Sequence, residues 1–304
     1  MELVKITDQL MFPEGPLPLP DGSCLVVEVQ RGTVSRVTPE GEITVVGEMG
    51  GGPNGMAMGP DGLVYVCNNG GLEFYYEGEY LCAQLNRHAG YVGGSIQTLD
   101  IKTGEVKTLY THCGDKPLNG PNDIVFDKTG GFWFTDIGRT YDDYRDIGII
   151  YYARADGSSI KIMREEIPTP NGIGLSPDEK VVYVADSMTG RLWALDVADP
   201  GTLAPPPNKF GPGRIICTLP GFQALDSLAV EENGKVCVAT ILNGGITIFD
   251  PSGSHEHIPV PDPITTNIAF GGKDMRDAWI TAGGTKALYK CRWPRPGLKL
   301  NFMP

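Results

Sequence analysis

Histidine is scarce in this chain. There are four, at 88, 112, 255 and 257, scattered and none at the head of a repeat. That works against a zinc centre built on imidazoles and leaves a thiol nucleophile without a paired base. The seven cysteines show no C-x-x-C spacing, so the usual thiolate metal and redox motifs are absent. Cys24, Cys67 and Cys237 fall inside apolar strand-like runs, where cysteine behaves as a small hydrophobe. Positive charge is also short: 25 Lys and Arg face 37 Asp and Glu, for a net charge of −12. That balance argues against nucleic acid and anionic membranes as partners. No apolar run approaches the roughly 20 residues of a membrane span. The start, Met1-Glu2-Leu3-Val4-Lys5, lacks the charged and apolar regions of a signal peptide. A reduced, cytoplasmic protein is the expectation. No G-x-S-x-G element or P-loop is present, and no segment has a convincing amphipathic helical period.

Glycine (41) and proline (25) are abundant instead. They are spread along the chain as turn punctuation. The clearest unit runs Pro53-Asn54-Gly55-Met56-Ala57-Met58-Gly59-Pro60-Asp61-Gly62-Leu63-Val64-Tyr65-Val66-Cys67. A short strand meets a Pro-Asp-Gly turn and a second, β-branched and aromatic strand follows, which is a hairpin. The phrase returns from Asn122 to Asp136, from Asn171 to Asp186 and from Asp226 to Thr240. It is abbreviated at Leu19-Pro20-Asp21-Gly22 and blurred at Gly271-Gly272-Lys273-Asp274-Met275. A second pair of strands follows each hairpin, as at Gly190 to Leu195 and Gly245 to Phe249. Four short strands repeated at roughly 40–50 residues predict an all-β, six-bladed β-propeller. Residues 1–304 are expected to form one such domain, with a strand near Leu3 to Ile6 completing the sixth blade.

Each repeat opens on a carboxylate or amide: Glu14, Asn54, Asn122, Asn171, Asp226 and Asn267. Taken singly, Asn or Asp beside glycine at a strand end is a turn residue. Six at one structural position tilt the reading toward a site on the axis. Carboxylates mixed with amides suit a hard divalent cation. Glu14 and Asp226 would offset its charge, Asn171 would add a neutral oxygen, and Asn122 would join them or bind substrate. Such an open site can polarise a carbonyl and position a water. Insertions at 70–94 and 137–147 follow the second strand of their blades, hence lie on the same rim. Their aromatics, among them Tyr75 and Tyr141, read equally as a lid or as an ordinary surface loop or oligomer contact. His255-Glu256-His257 reads as a solvated polar turn.

The segments Glu14-Gly15-Pro16, Asn122 to Asp127 with Phe132 to Asp136, Pro170 to Asp178 with Tyr183 to Ser187, and Asp226 to Val230 resemble the gluconolactonase, regucalcin and senescence-marker-protein family over most of the chain. The resemblance implies a six-bladed propeller with one divalent metal at the axial mouth. Calcium is the first choice, with Zn, Mg, Mn or Fe as alternatives. It implies Glu14, Asn171 and Asp226 as metal ligands, Asn122 on metal or substrate, and Asp226 as general base. The activity it implies is opening of a lactone to a hydroxy acid. Asn54, Tyr75 and Tyr141 are expected to contact a small-molecule substrate, and a homo-oligomer is possible. Gly120 stands where sugar-lactone members tend to have an arginine, and the aromatic insertion is unlike simple aldonolactonases. Both point toward a less polar or aromatic substrate. Alternatives on the same scaffold are a cyclase, an isomerase, a strictosidine-synthase-like enzyme or a non-catalytic binding propeller.

Overall fold

The computed structural model describes residues 1–86 and 89–303; His88 lies outside them. No helix occurs among the described residues, and none is therefore long and apolar enough to cross a membrane. The strands form six antiparallel blades. Blade 1 is Pro13–Pro18, Cys24–Glu28, Thr33–Val37 and Ile43–Glu48. Blade 2 is Pro53–Met58, Val64–Asn68, Ser95–Leu99 and Val106–Tyr110. Blade 3 is Pro121–Phe126, Gly131–Asp136, Ile149–Arg154 and Ile160–Arg164. Blade 4 is Pro170–Leu175, Val181–Asp186, Arg191–Asp199 and Arg214–Thr218, with the short strand Thr202–Leu203 added. Blade 5 is Ala224–Val230, Val236–Ile241, Gly245–Phe249 and His255–Pro259.

Blade 6 joins both ends of the chain. Thr265–Gly271, Asp277–Ala282 and Ala287–Arg292 are completed by the N-terminal strand Val4–Thr7. The first strands of the blades touch in ring order, and blade 6 returns to blade 1. The propeller expected from the repeat is the fold observed. One local expectation is corrected. His255, Glu256 and His257 are not in a turn but in the outer strand of blade 5, paired with Gly245–Phe249.

The turn chemistry explains the hairpins. Asp21, Asp61, Asp127, Asp178, Asn233 and Asp274 each accept the N–H two residues ahead. That Asx contact closes each turn between the first two strands of a blade. Residues alternate into the layers between blades, so Trp133, Trp279, Phe132 and Phe249 are fully buried.

The inner strands carry the feature that builds the site. Pairing with the second strand slips at the head of every one: after Glu14, across Asn54, Asn122, Asn171 and Asp226, and before Asn267. A bulge of this kind frees residues from the ladder and re-aims their side chains. Proline opens four of these strands, at 13, 53, 121 and 170, the one strand position that needs no donor. Packing around the axis is close. A Cβ on Gly172 would stand 2.7 Å from the Asp226 carbonyl and 2.7 Å from the Leu228 nitrogen.

Below the bulges the inner strands enclose an apolar cavity of about 70 Å³, lined by Leu17, Met56, Ile124 and Ile173 among others. The C-terminal segment closes its far end with Leu298, Leu300 and Met303. It is fastened to blade 5 by Arg295 on Glu231 and to blades 3 and 4 by Asn301, which donates to the Phe126 carbonyl and to Glu179.

Candidate functional site

All six leading residues are buried at one end of the axis: Glu14, Asn54, Asn122, Asn171, Asp226 and Asn267. They divide by what their atoms do. Asn267 is a support. Its Oδ1 accepts the Ile268 N–H (2.7 Å) and its Nδ2 donates to Glu14 Oε2 (3.0 Å), which also accepts the Gly15 N–H (3.0 Å). Asn171 donates from Nδ2 to Ser187 Oγ (3.1 Å). Ser187 spends its own proton on the Leu225 carbonyl (2.7 Å), so its oxygen must be the acceptor and the Asn171 oxygen is left free. The Oδ1 atoms of Asn54, Asn122 and Asn171 are all buried without a hydrogen-bond partner.

Three carboxylates share this mouth. Burial, and then the charge of Asp226, push the Glu14 carboxyl well above the usual carboxylate range. Burial pushes Asp226 up to about 8, with the Asn171 amide opposing and Asp123 adding. Asp123, the residue after Asn122, is pushed up to about 7 by burial, against the N–H groups of Ile124 and Ile173. Buried acceptors and carboxylates are costly when unpaired. A cation would satisfy both the unpartnered oxygens and the buried carboxylates. Two carboxylates and amide oxygens are the donor chemistry of a hard divalent ion, and the residues fit one. Among the described residues, no three His, Cys, Asp or Glu side chains gather as a ligand set. The fit rests on amides beside two carboxylates, with Asp123 held by backbone N–H groups.

The second strands hold these residues in place. Asp136, at the end of its strand in blade 3, accepts N–H groups from Asn119 (2.8 Å), Gly120 (2.7 Å) and Gly138 (2.9 Å). Asp186 does the same for Thr169 in blade 4, Asn68 for Gly52 in blade 2 and Glu28 for Met11 in blade 1. Each clamp grips the chain two or three residues before a leading residue. Hydroxyls latch one blade to the next: Thr135 donates to the Asn171 carbonyl (2.6 Å) and Thr266 to the Pro13 carbonyl (2.9 Å). Asp123, Ser187 and these clamps escaped the sequence reading. Their one visible signal was recurrence of Asp, Asn or Glu at the end of the second strand.

The insertions lie on the predicted rim. Glu73–Glu77 and Tyr80–Gln84 form a hairpin whose Phe74 packs edge-on against Phe12 (5.3 Å between centroids). Its Leu81 N–H donates to the Gly284 carbonyl of blade 6 (2.9 Å). The chain beyond it meets the other insertion, where Thr140 N–H donates to the Leu85 carbonyl (3.1 Å). Tyr75 sits on this hairpin 42% exposed, opposite Cys82. Tyr141 stacks on Tyr144 at 4.3 Å. The structure brings Glu14, Asn54, Asn122, Asn171 and Asp226 together and leaves these two tyrosines in the covering segments. His255 and His257 stand apart from the axis on the outer strand of blade 5, His112 lies on a short separate hairpin with Lys116–Pro117, and the seven cysteines are free.

Residues 12–284 match the SMP-30/Gluconolactonase/LRE-like region family. The chain belongs to that family. Within the sequence relatives, it is 28% identical over 253 residues to lactonase drp35 of Staphylococcus epidermidis, covering 82% of this chain and 70% of the relative. A solved gluconolactonase from Xanthomonas campestris superposes with a TM-score of 0.74 at 23% identity, over 96% of this chain and 89% of that one. Regucalcin from Agrobacterium tumefaciens, described as a calcium-binding protein, superposes with a TM-score of 0.73 at 19% identity, covering 97% of each. At these identities the structural likeness establishes the shared propeller. The family membership rests on the sequence match.

Proposed function

We propose that this family member is a metal-dependent lactonase that opens a cyclic ester to a hydroxy acid. The observation that carries the reading is the set of three unpartnered, buried amide oxygens beside Glu14 and Asp226. Glu14, Asn171 and Asp226 would hold a divalent ion, calcium first among the candidates. When bound, such an ion supplies Lewis-acid polarisation of an ester carbonyl and offsets the two carboxylates.

The chain's own groups account for the rest. Asp226, buried and free of any cationic side chain among the described residues, takes a proton from the attacking water as general base. Water adds to the carbonyl carbon and the ring C–O bond breaks. The departing alkoxide recovers the proton from Asp226, giving a hydroxyl and a carboxylic acid that then ionises to solvent. Asn122 and Asn54, flanking on blades 3 and 2, orient the substrate through their amides. The hairpin at 73–84 and the loop at 137–147 roof the mouth and keep bulk water from it. The named lactonase and gluconolactonase relatives support the same reaction class.

Asp226→Ala tests the assignment. Lactone turnover should fall by about 10²–10⁴-fold, and the purified variant should lose metal that the wild-type retains. Wild-type turnover in this variant would remove Asp226 from the mechanism. Retained metal with no hydrolysis of any lactone by the wild-type would redirect the reaction toward cyclisation or isomerisation.

A further inference from the structure

The mouth has a second set of unsatisfied atoms, of opposite polarity. Arg139, from the 137–147 loop, is fully buried. Its Nε donates to the Asn119 carbonyl (3.1 Å), its Nη2 stands 3.5 Å from Asn69 Oδ1, and its guanidinium lies 4.6 Å above the Tyr91 ring. Its Nη1 has no hydrogen-bond partner. Asn69 presents a second such donor. Its Oδ1 accepts the Gly71 N–H (3.0 Å), which fixes the amide's orientation and leaves Nδ2 buried and unpartnered. Arg145 lies nearby, donating to Thr140 Oγ1 (2.7 Å) and the Ile137 carbonyl (3.0 Å), with its Nε unpartnered.

The partly buried Arg295 is neutralised by Glu231, whereas Arg164 and Arg191 resemble Arg139 in leaving an unpartnered guanidine nitrogen but lie partly exposed on blades 3 and 4; Arg139 alone of these is fully buried. Neither Arg139 nor Arg145 makes an ion pair with a carboxylate among the described residues. Asp136 and Asp146 are the acids closest in charge to them, but their oxygens are occupied chiefly by backbone N–H groups and the Asn119 amide. Burial accordingly holds both guanidinia below their usual value. A buried cation without a counterion is expensive, and two adjacent orphan donors add to the cost.

The location ties this cluster to the site. Asn69 donates its N–H to the Gly52 carbonyl, two residues before Asn54. Arg139 is held on Asn119, three residues before Asn122. The orphan donors therefore lie at the heads of blades 2 and 3, on the same end of the ring as the orphan acceptors.

We propose that Arg139 and Asn69 form an anion subsite that binds a carboxylate on the substrate, so that the preferred lactones are acidic ones. The proposal rests on the lactonase reading for its substrate class, though not for the subsite itself. Arg139 and Asn69 meet at 3.5 Å, and their free Nη1 and Nδ2 would supply two donors to the two oxygens of a planar carboxylate. A phosphate would need more donors and more charge than a site beside Asp136 and Asp146 supplies. This reverses the expectation of a weakly polar substrate drawn from Gly120 and the aromatic insertion.

The test uses 5-oxotetrahydrofuran-2-carboxylate, a γ-lactone bearing a carboxylate, and its methyl ester, on the full-length, metal-loaded protein. The wild-type should prefer the acid in kcat/KM by about tenfold or more, since a site built to bind a polar group discriminates against its absence. Arg139→Gln should collapse that ratio toward unity, and Arg139→Lys, with charge but no fork, should fall between. Calorimetric titration with succinate, succinamide and inorganic phosphate reads the subsite without catalysis. Succinate should bind saturably, about tenfold more weakly to Arg139→Gln, with succinamide and phosphate weaker in the wild-type. Should Arg139→Gln fail to fold, Asn69→Ser takes its place in both assays. Equal turnover of acid and ester, with succinate binding indifferent to Arg139, overturns the subsite and leaves the lactonase standing. Arg139-dependent succinate binding with no hydrolysis of either lactone does the opposite. Tighter binding of phosphate than succinate overturns the carboxylate assignment.

Discussion

Asp226 concentrates the residue-scale physics. Its folded-state carboxyl is pushed up to about 8, chiefly by burial, whereas an unfolded-chain aspartate titrates near about 4. Between those values the folded state holds the proton that the unfolded state releases. Stability of the metal-free protein is therefore lost as pH rises through that window. Asp123, pushed up to about 7, acts in the same direction. The expected outcome is that Asp226→Asn stabilises the metal-free protein at pH 8 more than at pH 5, measured by denaturant midpoints in chelator. An equal effect at both pH values would show that Asp226 is not destabilised by its ionised form. Glu14, Asn171 and Asp226 were legible because each heads a Pro-Glu-Gly, Pro-Asn-Gly or Leu-Asp-Ser phrase in a repeat. Asp123 was not, because a residue after a leading asparagine looks like any strand residue until the bulge turns it inward. Arg139 was also hidden, since its counterpart atoms on Asn69 and Asn119 belong to two different blades.

At the scale of the element, the bulge at the head of each inner strand does the positioning, and the glycines beside it permit the approach. In blade 4 the register slips across Asn171 and Gly172. A methyl at Gly172 would press on the backbone of Asp226 and Leu228, which has no side-chain end that can swing away. Gly172→Ala should cost about 1–3 kcal/mol and weaken metal retention along with it, because the displaced backbone carries Asp226. Thermal denaturation and metal content of the same preparation would check this. Unchanged values for both would mean the blades slide apart freely. The hairpins were readable from Asp and Gly turn chemistry, and all six close with the same Asx contact. The outer strands were harder. His255-Glu256-His257 reads as a turn because a strand at the rim of a blade is polar and lacks alternation, so its periodic signal is weak.

For the whole molecule, closure is the decisive property. The ring is sealed where Val4–Thr7 pairs with Ala287–Arg292, joining residues from opposite ends of the chain. Deleting residues 1–8 would leave an unpaired strand edge and remove Ile6 from the cluster that holds Trp279 and Leu288. A fall of several degrees in Tm is expected, with concentration-dependent aggregation on heating. A truncated protein that melts like the full chain would show that closure contributes little. The number of blades followed from the count of repeats, and the strand expected near Leu3 to Ile6 is the observed seal, Val4–Thr7. The path of the C-terminal segment across the far end did not, because its contacts with Val230, Phe126 and Glu179 have no local pattern.

The central claim is that the axial oxygens hold a divalent ion on which lactone opening depends. Elemental analysis of the purified protein, joined to lactone hydrolysis before and after chelation, tests it most directly. The account predicts about one divalent ion per chain, hydrolysis abolished by chelation, and recovery on adding the ion back. Hydrolysis that survives complete removal of metal, or a protein that takes up none under any loading, would contradict it.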